Sequence, residues 1–359
     1  MDAFTYEAQP GRVVFGAGTL ASLPAEAECL GFVRVLVVCT PGRRAMADQA
    51  VKDLGAAGGG VFDGAIGHVS AAVAGAGCDE ARRVGADGTV ALGGGAALGV
   101  AKVIARDLGL PIIAVPTTYS GSEMTAIWGI TEDALKRTGH DPSVLPRTVI
   151  YDPELTAGLP ASVGVPSAFN AIAHSVEALY AENANPVTSL VAEDGIRALA
   201  HSLPIVVQTP GDIAARGEAL YGAWLCGAAL GGTGTALHHK LCHVLGGTFD
   251  LPHAEVHSII LPHATAYNRA AAPEAMDRIA RALGADEAAG ALYDLLAGLG
   301  AKTGLGDLGM ARGDLDKATE IATGGAFYNP APVTHGGVRA LLEDAWHGRR
   351  PAAPGQETT

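Results

Sequence analysis

The chain has 359 residues, 48% hydrophobic and 17% charged, enough for one large or two moderate domains with real cores. Its net charge of -13 argues against nucleic acid as a partner and does nothing to draw an anionic substrate inward, so such a substrate needs a local cluster of donors. The longest apolar stretches, such as RVLVVCT and LPIIAVP, are too short to span a bilayer, and MDAFTYEAQPGR lacks the layout of a signal peptide; five scattered cysteines without CxxC spacing suit reduced thiols, so a cytoplasmic location with no membrane partner is expected.

Along the first 150 or so residues, short β-branched runs alternate with Ala-rich stretches. RVVFG, RVLVVCT, VFDGA, GTVALGGG and PIIAVPTT read as strands, being nearly continuous apolar runs bounded by Gly or Pro. RRAMADQAVKDLGAAG, SAAVAGAGCDEARRVGA and AALGVAKVIARDLG between them read as helices. This alternation predicts an α/β domain with a parallel sheet. AIWGITEDALKRTGHDPSVLPRTVIYDP then reads as a strand, an irregular polar turn and a returning strand. After Asp152, convincing strands stop and helical patterns follow, from PSAFNAIAHSVEALYAEN to PEAMDRIARALG. The Gly/Pro/Ser-rich LTAGLPASVGVPS marks a boundary, giving an α/β dinucleotide-binding domain over 1–158 and an all-α domain over 159–359. The tail from about 349 is expected to be disordered.

Two polar loops follow adjacent strands. Gly93, Gly94 and Gly95 sit between a strand and a helix, where bare backbone and a helix N-terminus suit a diphosphate; a tight turn is the competing reading. Thr117, Thr118 and Ser120 follow the next strand, and Thr40 ends an earlier one. Together these loops favour a nucleotide at the C-terminal edge of the sheet. No Asp or Glu ends RVLVVCT, so discrimination between NADH and NADPH is expected to be loose.

His239 and His243 are four apart, as are Asn170 and His174, so each pair shares a helix face; His253 lies in a loop ten residues past His243. Taken singly, His238, His257, His263 and His201 read as packed or solvated residues. His174, His239, His243 and His253 taken together read as a functional set.

These segments, over nearly the full length, resemble the iron-containing (group III) alcohol dehydrogenase family, with its dehydroquinate-synthase-like fold. GGGAALGVAK resembles its phosphate loop, VPTTYSGSEMT its PTT-x-GSE-T loop, NAIAH its D-x-x-x-H, and HHKLCHVLGGTFDLPH its paired histidine motif. The resemblance implies a metal held at the positions of Asn170, His174, His239 and His253, with His243 as the further histidine near the nicotinamide. The departures are Asn170 for the ligand Asp, Gly99 for the Asp of the phosphate loop, Val244 for a proline and Ala254 for a glycine. These departures, with FTYEAQPGRVVFGAGT, TPGRR and FYNPAPV, resemble one subgroup, the maleylacetate reductases.

That subgroup implies NADH- or NADPH-dependent reduction of the C=C bond of maleylacetate, a small dicarboxylate, to 3-oxoadipate in aromatic compound degradation, by a homodimer. A neutral amide at 170 is a weaker cation ligand than a carboxylate, so no metal is expected, and the pocket becomes a cluster of N–H donors for a dianionic enone. His243, His253 and His239 are the candidate donors, followed by His174 and Lys240; Asn170, Tyr119 and Tyr328 are candidate substrate contacts. An outer helix face competes for Lys240, and aromatic core packing for both tyrosines. The alternatives are a metal-dependent alcohol dehydrogenase or aldehyde reductase of the same fold, a lyase of the dehydroquinate synthase kind, and a non-catalytic nucleotide-binding protein.

Overall fold

The structure is a computed structural model that describes Phe4, Tyr6 and residues 11–67, 69–132 and 135–353, with backbone alone at 132, 135 and 136. Part of FTYEAQPGRVVFGAGT and the last six residues of the tail lie outside the described residues. Two compact units are present: Gln9–Leu159 with Gly211–Leu220, and Pro160–Pro210 with the chain from Tyr221 onward.

The first unit is a parallel sheet built from β1 (Arg12–Phe15), β2 (Val35–Cys39), β3 (Gly58–Phe62), β4 (Gly88–Gly93), β5 (Ile112–Pro116) and β8 (Thr148–Tyr151), in the order β1-β8-β5-β4-β2-β3. β6 (Ile127–Glu132) and β7 (Leu135–His140) form a separate antiparallel pair. The helices are α1 (Leu23–Cys29), α2 (Arg44–Asp53), α3 (Ala71–Val84) and α4 (Gly95–Leu108). β2, β4 and β5 are buried along their whole length, which explains their unbroken apolar runs. Val35, Val37, Val90 and Ile113 pack on one face with Ala47 and Ala50 of α2, and Leu36 and Val38 pack on the other with Ala74, Cys78, Val100 and Ile104. Each such Val, Leu or Ile contributes roughly 1.5–3 kcal/mol on burial. Ser70 caps α3 by accepting from Val73 N–H at 3.2 Å, and Gly85 ends it at φ 67°.

The second unit is helical: α5 (Ala161–Leu179), α6 (Pro186–Gln208), the later part of α7 (Ile213–Gly231), α8 (Leu237–Phe249), α9 (His253–Asn268), α10 (Pro273–Leu283), α11 (Ala288–Gly298), α12 (Leu315–Thr323) and α13 (His335–His347). Its core joins Leu241 and Leu245 of α8, Val256 and Ile260 of α9, and Val338 and Leu342 of α13. Asn185 and Thr188 form a reciprocal capping box at the start of α6.

An α/β sheet unit and an all-helical unit agree with the fold class expected from the sequence. Three details differ. The polar stretch read as an irregular turn contains β7, because a two-stranded ribbon outside the main sheet needs no apolar alternation. Gly211–Leu220, numbered with the helical domain, groups with the sheet unit, where buried Arg216 donates from Nη1 to Tyr119 Oη at 3.1 Å. Arg349–Ala353, expected to be disordered, is placed: Arg349 pairs with Asp344, Arg350 pairs with Asp294 through two hydrogen bonds of 2.8 Å, and Pro351 is buried.

Candidate active site

In the sheet unit, the nominated cofactor residues share one edge. β4 lies between β5 and β2, with Gly93 opposite Pro116 and Leu92 opposite Cys39. The loops opened by Gly94, Thr117 and Thr40 therefore leave neighbouring strands at their C-terminal ends, where parallel α/β sheets bind ligands. Gly94 is the N-cap of α4 and carries no side-chain cap. A Cβ on Gly94 would meet Thr118 Cγ2 at 2.8 Å, so glycine is what lets the two loops touch. Thr117 N–H donates to Gly93 O at 3.0 Å, and the Ser120 and Ser122 hydroxyls share a 3.1 Å bond. Gly99, where the resembled family has Asp, is filled by its neighbour: a Cβ there would lie 2.6 Å from Val69 Cγ2.

Sequence reasoning missed Lys102 on α4. Its buried Nζ donates to Ser122 O (2.8 Å), Thr125 O (2.8 Å) and Ile127 O (2.7 Å), pinning the hydroxyl-rich loop. Burial pulls its pKa down to about 7, against the opposing pull of Glu123. The only signal was a lysine inside an otherwise apolar helix face.

Tyr119 takes a packed position, the reading that competed with a substrate contact. It is fully buried, its hydroxyl held by Arg216 at 3.1 Å and 3.5 Å from Thr156 Oγ1. These contacts are those of a packed core tyrosine.

In the helical unit, the four nominated histidines form a row. Ring centroids are 5.3 Å apart for His174 and His239, 6.3 Å for His239 and His243, and 6.4 Å for His243 and His253. His174 and His239 are buried, while His243 and His253 are half-buried, so the row runs from the interior toward accessible surface. His253 is not in a loop; it is the first residue of α9, after Pro252. Asn170 lies one turn before His174 on α5, and its Oδ1 is buried without a hydrogen-bond partner. Lys240 is half-buried, with Nζ 5.8 Å from the Phe327 ring centroid. Tyr328 is 38% exposed, beside Asn329, whose Oδ1 accepts from Leu237 N–H at the start of α8.

The residue that sequence reasoning overlooked here is Glu177, fully buried on α5. It accepts from Ala236 N–H (2.8 Å), His238 N–H (2.7 Å) and His239 Nδ1 (2.6 Å). Its signal was spacing: Asn170, His174 and Glu177 at i, i+4 and i+7 share one face.

His238 and His257, read as packed residues, are buried and joined by a 2.9 Å contact from Nε2 to Nδ1. Burial, reinforced by neighbouring imidazoles, holds both well below the ordinary histidine range, so both are neutral. With Cys242 they are the one group of potential metal ligands of their kind among the described residues. The other ring nitrogen of each, His238 Nδ1 and His257 Nε2, is buried without a hydrogen-bond partner.

The ligand set departs from the one that the resembled family uses for iron. The carboxylate ligand position is the neutral amide of Asn170, and both oxygens of Glu177 are taken up by N–H donors. What remains is a row of imidazoles beside an unpartnered amide oxygen.

Comparison with known proteins agrees with this architecture. Residues 10–153 match the family model described as iron-containing alcohol dehydrogenase, and residues 165–346 match the C-terminal model of the Fe-containing alcohol dehydrogenase family. The chain is 51% identical over 352 residues to maleylacetate reductase of Burkholderia cepacia, covering 98% of this chain and 100% of that protein. Among solved structures, a putative alcohol dehydrogenase from Ralstonia eutropha JMP134 superposes with a TM-score of 0.97 at 54% identity, covering 98% of this chain and 100% of that one. Maleylacetate reductase from Agrobacterium tumefaciens superposes with a TM-score of 0.94 at 45% identity, with the same coverage. On fold, motifs and full-length similarity together, the chain belongs to the iron-containing alcohol dehydrogenase family.

Proposed function

We infer that this chain is an NAD(P)H-dependent oxidoreductase that reduces the carbon–carbon double bond of maleylacetate to give 3-oxoadipate. Similarity to several maleylacetate reductases over nearly the full length of the chain supports the substrate. The observation that carries the chemistry is the imidazole row beside Asn170, where the family otherwise places a carboxylate.

In this reading the sheet unit binds the nicotinamide cofactor through Gly93, Gly94, Gly95, Thr117, Thr118, Ser120 and Thr40. The helical unit binds the dicarboxylate. Hydride passes to the alkene carbon beta to the ketone, the π electrons move toward the carbonyl, and an enolate forms while the cofactor is oxidised. A proton added at the neighbouring carbon completes the saturated product. N–H groups of His243 and His253 stabilise the enolate oxygen, each well-placed donor lowering the barrier by roughly 3 kcal/mol, and His239 lines the same pocket with its Nδ1–H held by Glu177. Asn170 and His174 complete the pocket, and Lys240 and Tyr328 serve substrate carboxylates at its rim.

The enzyme works without a metal in this reading. The enone is already activated by conjugation, and the donor set is neutral where a cation needs charge. All five cysteines remain thiols, four of them buried, which supports a reducing, cytoplasmic setting. No helix among the described residues is long and apolar enough to cross a membrane.

The test is NADH and NADPH oxidation with maleylacetate and with simple aldehydes, before and after EDTA. Maleylacetate turnover that survives chelation is expected, with His243→Ala slower by ~10²-fold. Preference for aldehydes and loss of activity with EDTA would establish the metal-dependent alcohol dehydrogenase reading instead.

A further inference from the structure

Helix α8 carries His239 and His243, yet its own sequence does not fix its start. Its N-cap is Ala236, whose methyl group cannot accept the orphan N–H groups of the first turn. The acceptor comes from another helix. Glu177 of α5 takes Ala236 N–H at 2.8 Å on Oε2 and His238 N–H at 2.7 Å on Oε1. Oε2 also meets His239 Nδ1 at 2.6 Å. A buried carboxylate is costly unless donors meet it, and here three do. Since its oxygens already accept two backbone N–H groups, the proton of the third contact belongs to Nδ1. His239 Nε2 is then the nitrogen left facing outward from the clamp, and it is buried without a hydrogen-bond partner.

We propose that Glu177 is a positioning residue of the histidine row, acting through His239. It sets the ring plane of His239, parallel to His174 within 20°, and assigns Nε2 as the nitrogen offered to substrate. By the same carboxylate it locks the helix end from which His243 projects one turn later. An imidazole held through one nitrogen by a carboxylate has its orientation and tautomer fixed, the arrangement by which outer groups tune catalytic or ligand histidines. The choice of assay rests on the maleylacetate reading; the orientation of His239 does not.

Glu177→Gln, His239→Ala and the double variant test this. Steady-state kcat and KM, NADH affinity by fluorescence, thermal midpoints and NMR of isotope-labelled histidine are the readouts. The expected result is a kcat lower by about 10- to 100-fold in Glu177→Gln, with NADH affinity unchanged. The double variant should lose no more than His239→Ala alone, because both changes remove one function. In the unaltered protein His239 should carry its proton on Nδ1, and that signal should change in Glu177→Gln. Wild-type kcat in Glu177→Gln, multiplicative losses in the double variant, or a His239 protonated on Nε2 alone would overturn the proposal. If Glu177→Gln does not fold, the tautomer in the unaltered protein decides by itself. An unaltered protein that ignores maleylacetate would strike down the substrate assignment and leave the tautomer result standing.

Discussion

At the scale of single residues, the histidines divide by environment. His238, His257 and His263 are buried and held below the ordinary histidine range, foremost by burial. His263, on α9, drops from 6.5 to about 4. The unfolded chain therefore takes up a proton near 6.5 while the folded chain refuses it until about 4. The stability due to neutral His263 is complete above that window and is lost as pH falls through it, by about 1.4 kcal/mol per pH unit. His263→Gln should flatten the fall of the thermal midpoint between neutral pH and about pH 5. An unchanged slope would show that His263 takes its proton inside the fold. His174, His239 and His243 were visible in the sequence as i, i+4 patterns on two helices, and His253 as a histidine shortly after them, though it starts α9 and is not in a loop. Glu177 was not, because a glutamate in a helix reads as solvated until its partners on another helix are known.

At the scale of elements, the glycine loop shows what spacing reveals and what it hides. Strand, glycines and helix were legible from β4 through α4 because apolar runs and Gly are local signals. The contact between Gly94 and Thr118 was not, since it joins loops on different strands. Gly94→Val would drive a side chain into Thr118, with Cβ 2.8 Å from its Cγ2. NADH affinity should fall by at least about tenfold, or about 1.4 kcal/mol, with the sheet intact by circular dichroism. Unchanged affinity would remove this loop from cofactor binding. Local signals also misled in places. ASVGVPS looks like a linker, yet it is the first part of α5, with Gly164, Val165 and Pro166 buried. Tertiary burial there outweighs poor helix propensity.

For the whole molecule, charge sets a testable condition. A net charge of -13 repels both a dicarboxylate and NADH at long range. Raising ionic strength from a few millimolar toward about 0.15 M, where the screening length is about 8 Å, should therefore raise kcat/KM for maleylacetate. A falling kcat/KM would reveal a locally positive field at the pocket. The amino-acid order by itself determined the α/β unit, the helical unit, the two polar loops that follow β4 and β5, the histidine set and the amide at 170, because periodicity, glycine placement and motif spacing are written along the chain. Only the tertiary structure decided that Tyr119 belongs to the core, that Gly211–Leu220 groups with the sheet unit through Arg216, and that Glu177 clamps His239. Each of those depends on where a side chain meets residues distant in sequence, which local spacing does not encode.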